Sequence, residues 1–163
     1  MRYYKRIVPV VAAVALALSA TFASAATVVK VELWDKGVDS GTVKGLSFAT
    51  PGMDMSKATM GMKLYRKSAP AGVVTFQVSN VSKDTVHEMI VMYRQDATKP
   101  LPYIDAENRV DEDKAGDKGE VSELDPGKSG ALTVALKPGK YVLICNVPGH
   151  FDSGMWTEFD VTK

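Results

Sequence analysis

The single cysteine of the chain, Cys145, begins the run Cys145-Asn146-Val147-Pro148-Gly149-His150-Phe151-Asp152-Ser153-Gly154-Met155, in which thiolate, imidazole and thioether follow one another at five-residue intervals. A soft thiolate with imidazole and a weak axial Met is the donor set of an electron-transfer copper site, and that set requires one further His. The chain holds one other, His87. All its Cys and His residues can therefore serve one site made of His87, Cys145, His150 and Met155. Two imidazoles, a thiolate and a long thioether bond suit Cu(II) and Cu(I) tolerably well, so little has to move when an electron arrives or leaves.

Each of these residues has an ordinary alternative when taken alone. A buried cysteine behaves as a small hydrophobe, a lone His such as His87 is often a satisfied polar residue, and a lone Met such as Met155 is usually core. Their types, order and context agree on a metal, and an unpaired cysteine in an exported chain is otherwise reactive or intermolecular. Pro148-Gly149 adds to this, because Pro fixes φ and Gly permits the tight turn that would fold His150 back toward the Cys145 sulfur.

Taken together these residues resemble the cupredoxins, the small blue-copper proteins. The two four-residue gaps are similar to those of rusticyanin- and sulfocyanin-like members, and Val147-Pro148-Gly149-His150 with Gly154-Met155-Trp156 is sulfocyanin-like. The similarity covers residues 72–163 and is densest over 120–155. It implies an all-β fold, one type 1 copper ion held by His87, Cys145, His150 and Met155, and single-electron transport rather than enzymatic turnover. It also implies that the ring edge of His150 reaches solvent, with Val147, Pro148, Phe151 and Trp156 as an apolar collar; ordinary core packing is the alternative for Phe151 and Trp156. One departure stands out. Many cupredoxins carry Asn directly after the first ligand His, where it ties the two ligand loops together, and this chain has Glu88.

The first 25 residues read as a secretory signal: Arg2, Lys5 and Arg6 precede an apolar run over 7–20, and Ala23-Ser24-Ala25 offers small residues for cleavage. An uncleaved anchor is the alternative, but the run is shorter than the ~20 residues a spanning helix needs. Residues 26–163 would then form one copper-binding domain, periplasmic or otherwise exported. The signal holds three of the 20 basic residues and none of the 19 acidic ones, so the remainder carries 17 minus 19, or −2. That balance argues against nucleic acid as a partner and suggests no membrane surface; the mature chain is expected not to insert in a membrane and to be monomeric.

The elements that would position the ligands are strands. Residues 27–34, 72–78, 84–92, 131–136, 141–145 and 156–161 are strand-like and punctuated by Gly, Pro and Asn, with no long helical period. An all-β, antiparallel Greek-key β-sandwich is expected. Strand alternation places Tyr141, Leu143 and Cys145 on one face with Val142 and Ile144 on the other, and places His87, Met89 and Val91 together, with Met89 as core beneath the site.

Two segments admit more than one reading. Met53, Met55, Met60 and Met62 could form a soft Cu(I) site, which would make the chain a periplasmic copper-handling protein, a metallochaperone or resistance factor. Met60, Met62 and Leu64 also alternate as the inner face of a strand. Residues 95–128 read as a long, strand-poor connection in which nine acids over 105–125 face only Arg109, Lys114 and Lys118. That segment is either a solvated insertion or a docking face for a basic redox partner, alongside the surface near His150. No second His cluster or spare nucleophile and base pair points to an enzyme.

Overall fold

The computed structural model describes residues 26–94, 96 and 98–163. The expected signal segment, 1–25, lies outside the described residues. In chain order the strands are β1 (Thr27–Asp35), β2 (Met60–Leu64), β3 (Ser68–Pro70), β4 (Gly72–Asn80), β5 (His87–Tyr93), β6 (Tyr103–Ile104) and β7 (Arg109–Val110). A short helix α1 (Glu112–Ala115) precedes β8 (Asp117–Leu124), β9 (Ser129–Leu136), β10 (Gly139–Ile144) and β11 (Trp156–Thr162). One sheet has the order β2-β1-β4-β9, and the other β3-β11-β10-β5-β8. These two sheets form the expected β-sandwich, with the chain passing between them at 65–67, 71, 81–86, 125–128 and 137–138.

Pairing is mixed rather than wholly antiparallel. β1 runs parallel to β4 with Val29 opposite Phe76, and β3 runs parallel to β11 with Ala69 opposite Val161. A parallel neighbour requires a long crossover. Residues 36–71 supply it between β1 and β4, through a strap over 36–58, then β2 and β3.

The inner faces meet in one apolar layer that includes Val29, Leu33, Phe76, Met89, Leu143, Cys145 and Phe159. Phe76 of one sheet meets Phe159 of the other edge-on, with ring centroids 5.2 Å apart, an arrangement worth about 0.5–1.5 kcal/mol beyond its area. Val142 and Ile144 point the opposite way and pack with Ile90, Met92 and Phe151 in a second cluster. Both faces of β10 are thus covered, which is why its sequence is apolar on both.

The segment read as a strand-poor connection contains a full strand. β8 pairs antiparallel with β5, His87 opposite Leu124 and Met89 opposite Val121, with register shifts between them. Of its eight residues only Val121 is buried. The outward face of this edge strand is charged, a common defence against edge-to-edge pairing, and that charge conceals the strand from pattern reading.

Candidate metal centre

His87 opens β5, and the loop before it is fixed by the buried Asn80. The Asn80 Nδ2 donates to the carbonyls of Thr85 and Leu124, each at 2.8 Å, and its Oδ1 accepts the Ser82 N–H at 3.0 Å. An interior amide with these partners defines where β5 begins, because leaving them unpaired would cost about 1–3 kcal/mol each.

Cys145 follows β10, and the return to β11 is a compact loop. Gly149 (φ +85°) and Gly154 (φ +93°) occupy the left-handed region that glycine tolerates. A Cβ on Gly149 would stand 3.0 Å from the Asn108 Nδ2. The Pro148-Gly149 turn therefore does what its sequence suggests, and the His150 N–H closes it on the Val147 carbonyl at 2.9 Å. Met155 is tied to both ends of the loop: its N–H donates to the His150 carbonyl and its carbonyl accepts the Cys145 N–H, each at 3.0 Å. Its side chain is fully buried.

Three side chains converge. The Nδ1 atoms of His87 and His150 are 3.2 Å apart, and the Cys145 Sγ lies 3.3 Å from the His150 Nδ1. One donor atom from each falls within 4.8 Å of the others, and all three residues are buried. Such a cluster is electrostatically demanding. Burial pushes the Cys145 thiol up to about 12, helped by Glu88 and Glu123 and opposed by N–H groups of Glu88 and Val147. Burial and the neighbouring His87 lower His150 to about 4, and burial lowers His87 against the pull of Asp35. Two neutral imidazoles with lone pairs facing a thiol make a set that a soft or borderline metal satisfies, and the residues fit copper in both its states.

The departure at Glu88 proves to be a substitution of means. The Glu88 N–H donates to the Cys145 Sγ at 3.4 Å, and its carboxylate Oε1 accepts the Asn146 N–H at 2.8 Å. Glu88 thus links the His87 strand to the Cys145 loop. The Asn146 side chain extends the link to β7 and α1: its Oδ1 accepts the Val110 N–H at 2.7 Å and its Nδ2 donates to the Glu112 carboxylate at 2.6 Å. Burial, with Glu123, Glu120 and Glu112 nearby, raises the Glu88 carboxyl to about 7. A cavity of about 380 Å³ opens here between Glu88, Arg109, Glu112, Glu120, Glu123 and Pro148.

Sequence reasoning placed His87, Cys145 and His150 together, and the structure does the same. It did not anticipate Asp35, whose carboxylate Oδ2 lies 2.8 Å from the His87 Nε2, nor the strap over 36–58 that lies against the ligand loop. There Leu46 N–H donates to the Asp152 carbonyl at 2.9 Å, and the Ser153 hydroxyl donates to the Val43 carbonyl at 2.8 Å. His150 is 7% exposed. Pro148 is exposed, but Phe151 is core, packed in the second cluster. Trp156 is half-buried; it meets Phe48 edge-on at 5.1 Å and donates to the Leu46 carbonyl. Neither aromatic forms an open collar, because the strap occupies that side. The four methionines divide as well: Met60 and Met62 lie in the inter-sheet core, while Met53 is half-buried and Met55 is 39% exposed.

The family model described as the sulfocyanin (SoxE) domain matches residues 53–163. In structure the chain is similar to dithionite-reduced auracyanin from the photosynthetic bacterium Roseiflexus castenholzii, with TM-score 0.53 and 20% identity over 86% of this chain and 99% of that one. It is also similar to reduced rusticyanin, with TM-score 0.54 and 17% identity over 86% and 81% of the two chains. Rusticyanin from Thiobacillus ferrooxidans gives TM-score 0.52 at 17% identity over 82% and 75%. At these identities the structural likeness carries the β-sandwich fold alone. No curated protein matches the chain in sequence.

Proposed function

Because the chain belongs to the sulfocyanin (SoxE) family of cupredoxins, whose cofactor is one copper ion, we propose that it is an exported carrier of single electrons between redox proteins. We assign the ligands to His87, Cys145, His150 and Met155. The observation that carries this reading is the convergence of three buried donor atoms, within 4.8 Å of one another, from the start of β5 and the loop after β10. Bound copper supplies one-electron Cu(II)/Cu(I) chemistry, for which a thiolate, two imidazoles and a weak thioether are suited.

The residues of the chain do the rest. Asn80 and the Glu88–Asn146 link hold the two ligand-bearing segments in place before metal arrives, so little reorganises on a change of charge. Cys145 gives up its thiol proton on metal uptake, which makes binding proton-releasing. The strap and the apolar layer keep water from the thiolate. Export is supported by the basic, apolar and small-residue order of positions 1–25, and no helix among the described residues is long and apolar enough to cross a membrane. The core positions of Met60 and Met62 support an electron carrier over a copper-delivery protein, and the acidic residues beside Pro148 support a basic redox partner.

The deciding experiment is copper titration of the mature chain with and without Cys145→Ser. Intense visible absorption should appear on Cu(II) addition to the wild type and vanish in the variant, since only the thiolate supplies that charge transfer. A band that survives Cys145→Ser, or a wild type that holds no copper, would sink the assignment.

A further inference from the structure

We propose that Asp35, contributed by the opposite sheet, is a positioning residue of the metal centre: it fixes Nδ1 as the ligating atom of His87 and lowers the reduction potential through its charge. The inference rests on His87 being a copper ligand and concerns what holds that ligand.

The chemistry of the pair sets the tautomer. An ionised carboxylate can only accept, so the 2.8 Å contact between Asp35 Oδ2 and His87 Nε2 puts the ring proton on Nε2. The lone pair is left on Nδ1, the atom that faces His150 and Cys145. The side chain of Asp35 is 4% exposed, and burial works against its charged form. Donors keep it charged: the Gly37 N–H reaches Oδ1 at 2.6 Å, and with His87 the hydroxyls of Ser82 and Thr85 hold its carboxyl below the ordinary range against desolvation. Those hydroxyls belong to the loop that Asn80 pins. One preorganised pocket therefore fixes the carboxylate, and the carboxylate fixes the ring.

Two consequences follow. Carboxylate–imidazole pairs behind a metal typically contribute 10–100-fold in metal affinity by orienting the ring and raising its basicity. A fixed negative charge one imidazole away from the metal favours the more positive oxidised site, so its removal favours the reduced one. The two imidazoles are also unequal. Among the described residues a carboxylate lies within hydrogen-bond distance of His87 and none of His150.

Substitution separates charge from orientation. Asp35→Asn keeps an acceptor for His87 but removes the charge, so the potential should rise while copper affinity falls less than 10-fold. Asp35→Ala removes both, so the potential should rise and affinity should fall about 10–100-fold. Asp160→Asn, at an exposed pair with Lys140, should leave both quantities as in wild type. Retention of the visible band with wild-type potential and affinity in both Asp35 variants would overturn the proposal and leave the copper site intact. Absence of copper binding by the wild type would overturn the copper reading itself. Nitrogen-15 spectra of the metal-free wild type test the same point with no variant: a protected His87 Nε2 proton is expected, and a ring protonated at Nδ1 alone would overturn the assignment.

Discussion

The Glu88 carboxylate accepts the backbone N–H of Asn146 at 2.8 Å, while the Glu88 backbone N–H donates to the sulfur of Cys145 at 3.4 Å. One residue thus uses its side chain and its main chain to join β5 to the loop after β10, beside the Cys145 sulfur. The longer side chain performs the tie expected of an Asn. It does so with a charge whose burial is costly.

Substitution at Glu88 distinguishes the tie from the charge. Glu88→Gln retains a carbonyl oxygen for Asn146 and should fold with wild-type stability or better, because it removes the desolvated charge. Glu88→Ala leaves the Asn146 N–H buried and unpaired, which should cost about 1–3 kcal/mol. Chemical denaturation of the metal-free proteins measures both. Equal stability of the Ala and Gln variants would show that the hydrogen bond contributes nothing.

The raised Glu88 carboxyl also gives metal-free protein a defined pH response. Folding moves this group from 4.5 to about 7, so between those values the native state binds more protons than the unfolded chain, and the Glu88 contribution to stability falls as pH rises through that window. His150, lowered from 6.5 to about 4, acts in the opposite sense: its contribution is lost as pH falls from 6.5 toward 4. His87, also lowered by burial, adds to the His150 effect, so Glu88 offsets only part of the loss of stability as pH falls from 6.5 to 4.5. Glu88→Gln removes one of the opposing effects, so its stability should fall more steeply than wild type on acidification. Parallel profiles from thermal melts would contradict this.

Met155 should tune the centre without building it. Its backbone bonds to Cys145 and His150 are independent of its side chain, so Met155→Gln leaves the loop in place. A harder oxygen in the axial position favours Cu(II), and the potential should fall while copper stays bound. Voltammetry of the loaded variant provides the check; an unchanged potential would place the axial ligand elsewhere, with Met89 the next residue to test.

Association with a basic redox partner should weaken as salt rises. Glu120 and Glu123 project from the exposed edge of β8 beside the ligand loop, and exposed charges are largely screened beyond the ~8 Å Debye length at physiological ionic strength. Stopped-flow electron transfer with a cationic protein should slow with salt, and Asp113→Asn with Glu120→Gln and Glu123→Gln should flatten that dependence. A salt-independent wild-type rate would leave the acids a purely solubilising role. Asp111 and Glu112 are unsuitable for this test, because Asp111 caps α1 and Glu112 accepts from Asn146.

How much was legible in the sequence follows the range of the interactions. The run from Cys145 to Met155 is local: Pro148 and the two glycines shape a loop whose closing hydrogen bonds lie within a few residues, so donor order and turn chemistry already imply the site. The alternation of Tyr141, Leu143 and Cys145 against Val142 and Ile144 likewise survives intact, because strand period is a property of the backbone. Tertiary structure decided whatever depends on contacts between distant segments. Asp35 meets His87 across 52 residues and Asn146 meets Glu88 across 58, and neither pair leaves a periodic trace. β8 escaped notice because an edge strand buries little of its surface, so its charged face resembles a loop. The parallel pairing of β1 with β4 and the strap over the ligand loop depend on how a 36-residue crossover, 36–71, folds back on the sandwich. The sequence brings the candidate donors together in type and order, and long-range packing determines how they are oriented, charged and covered.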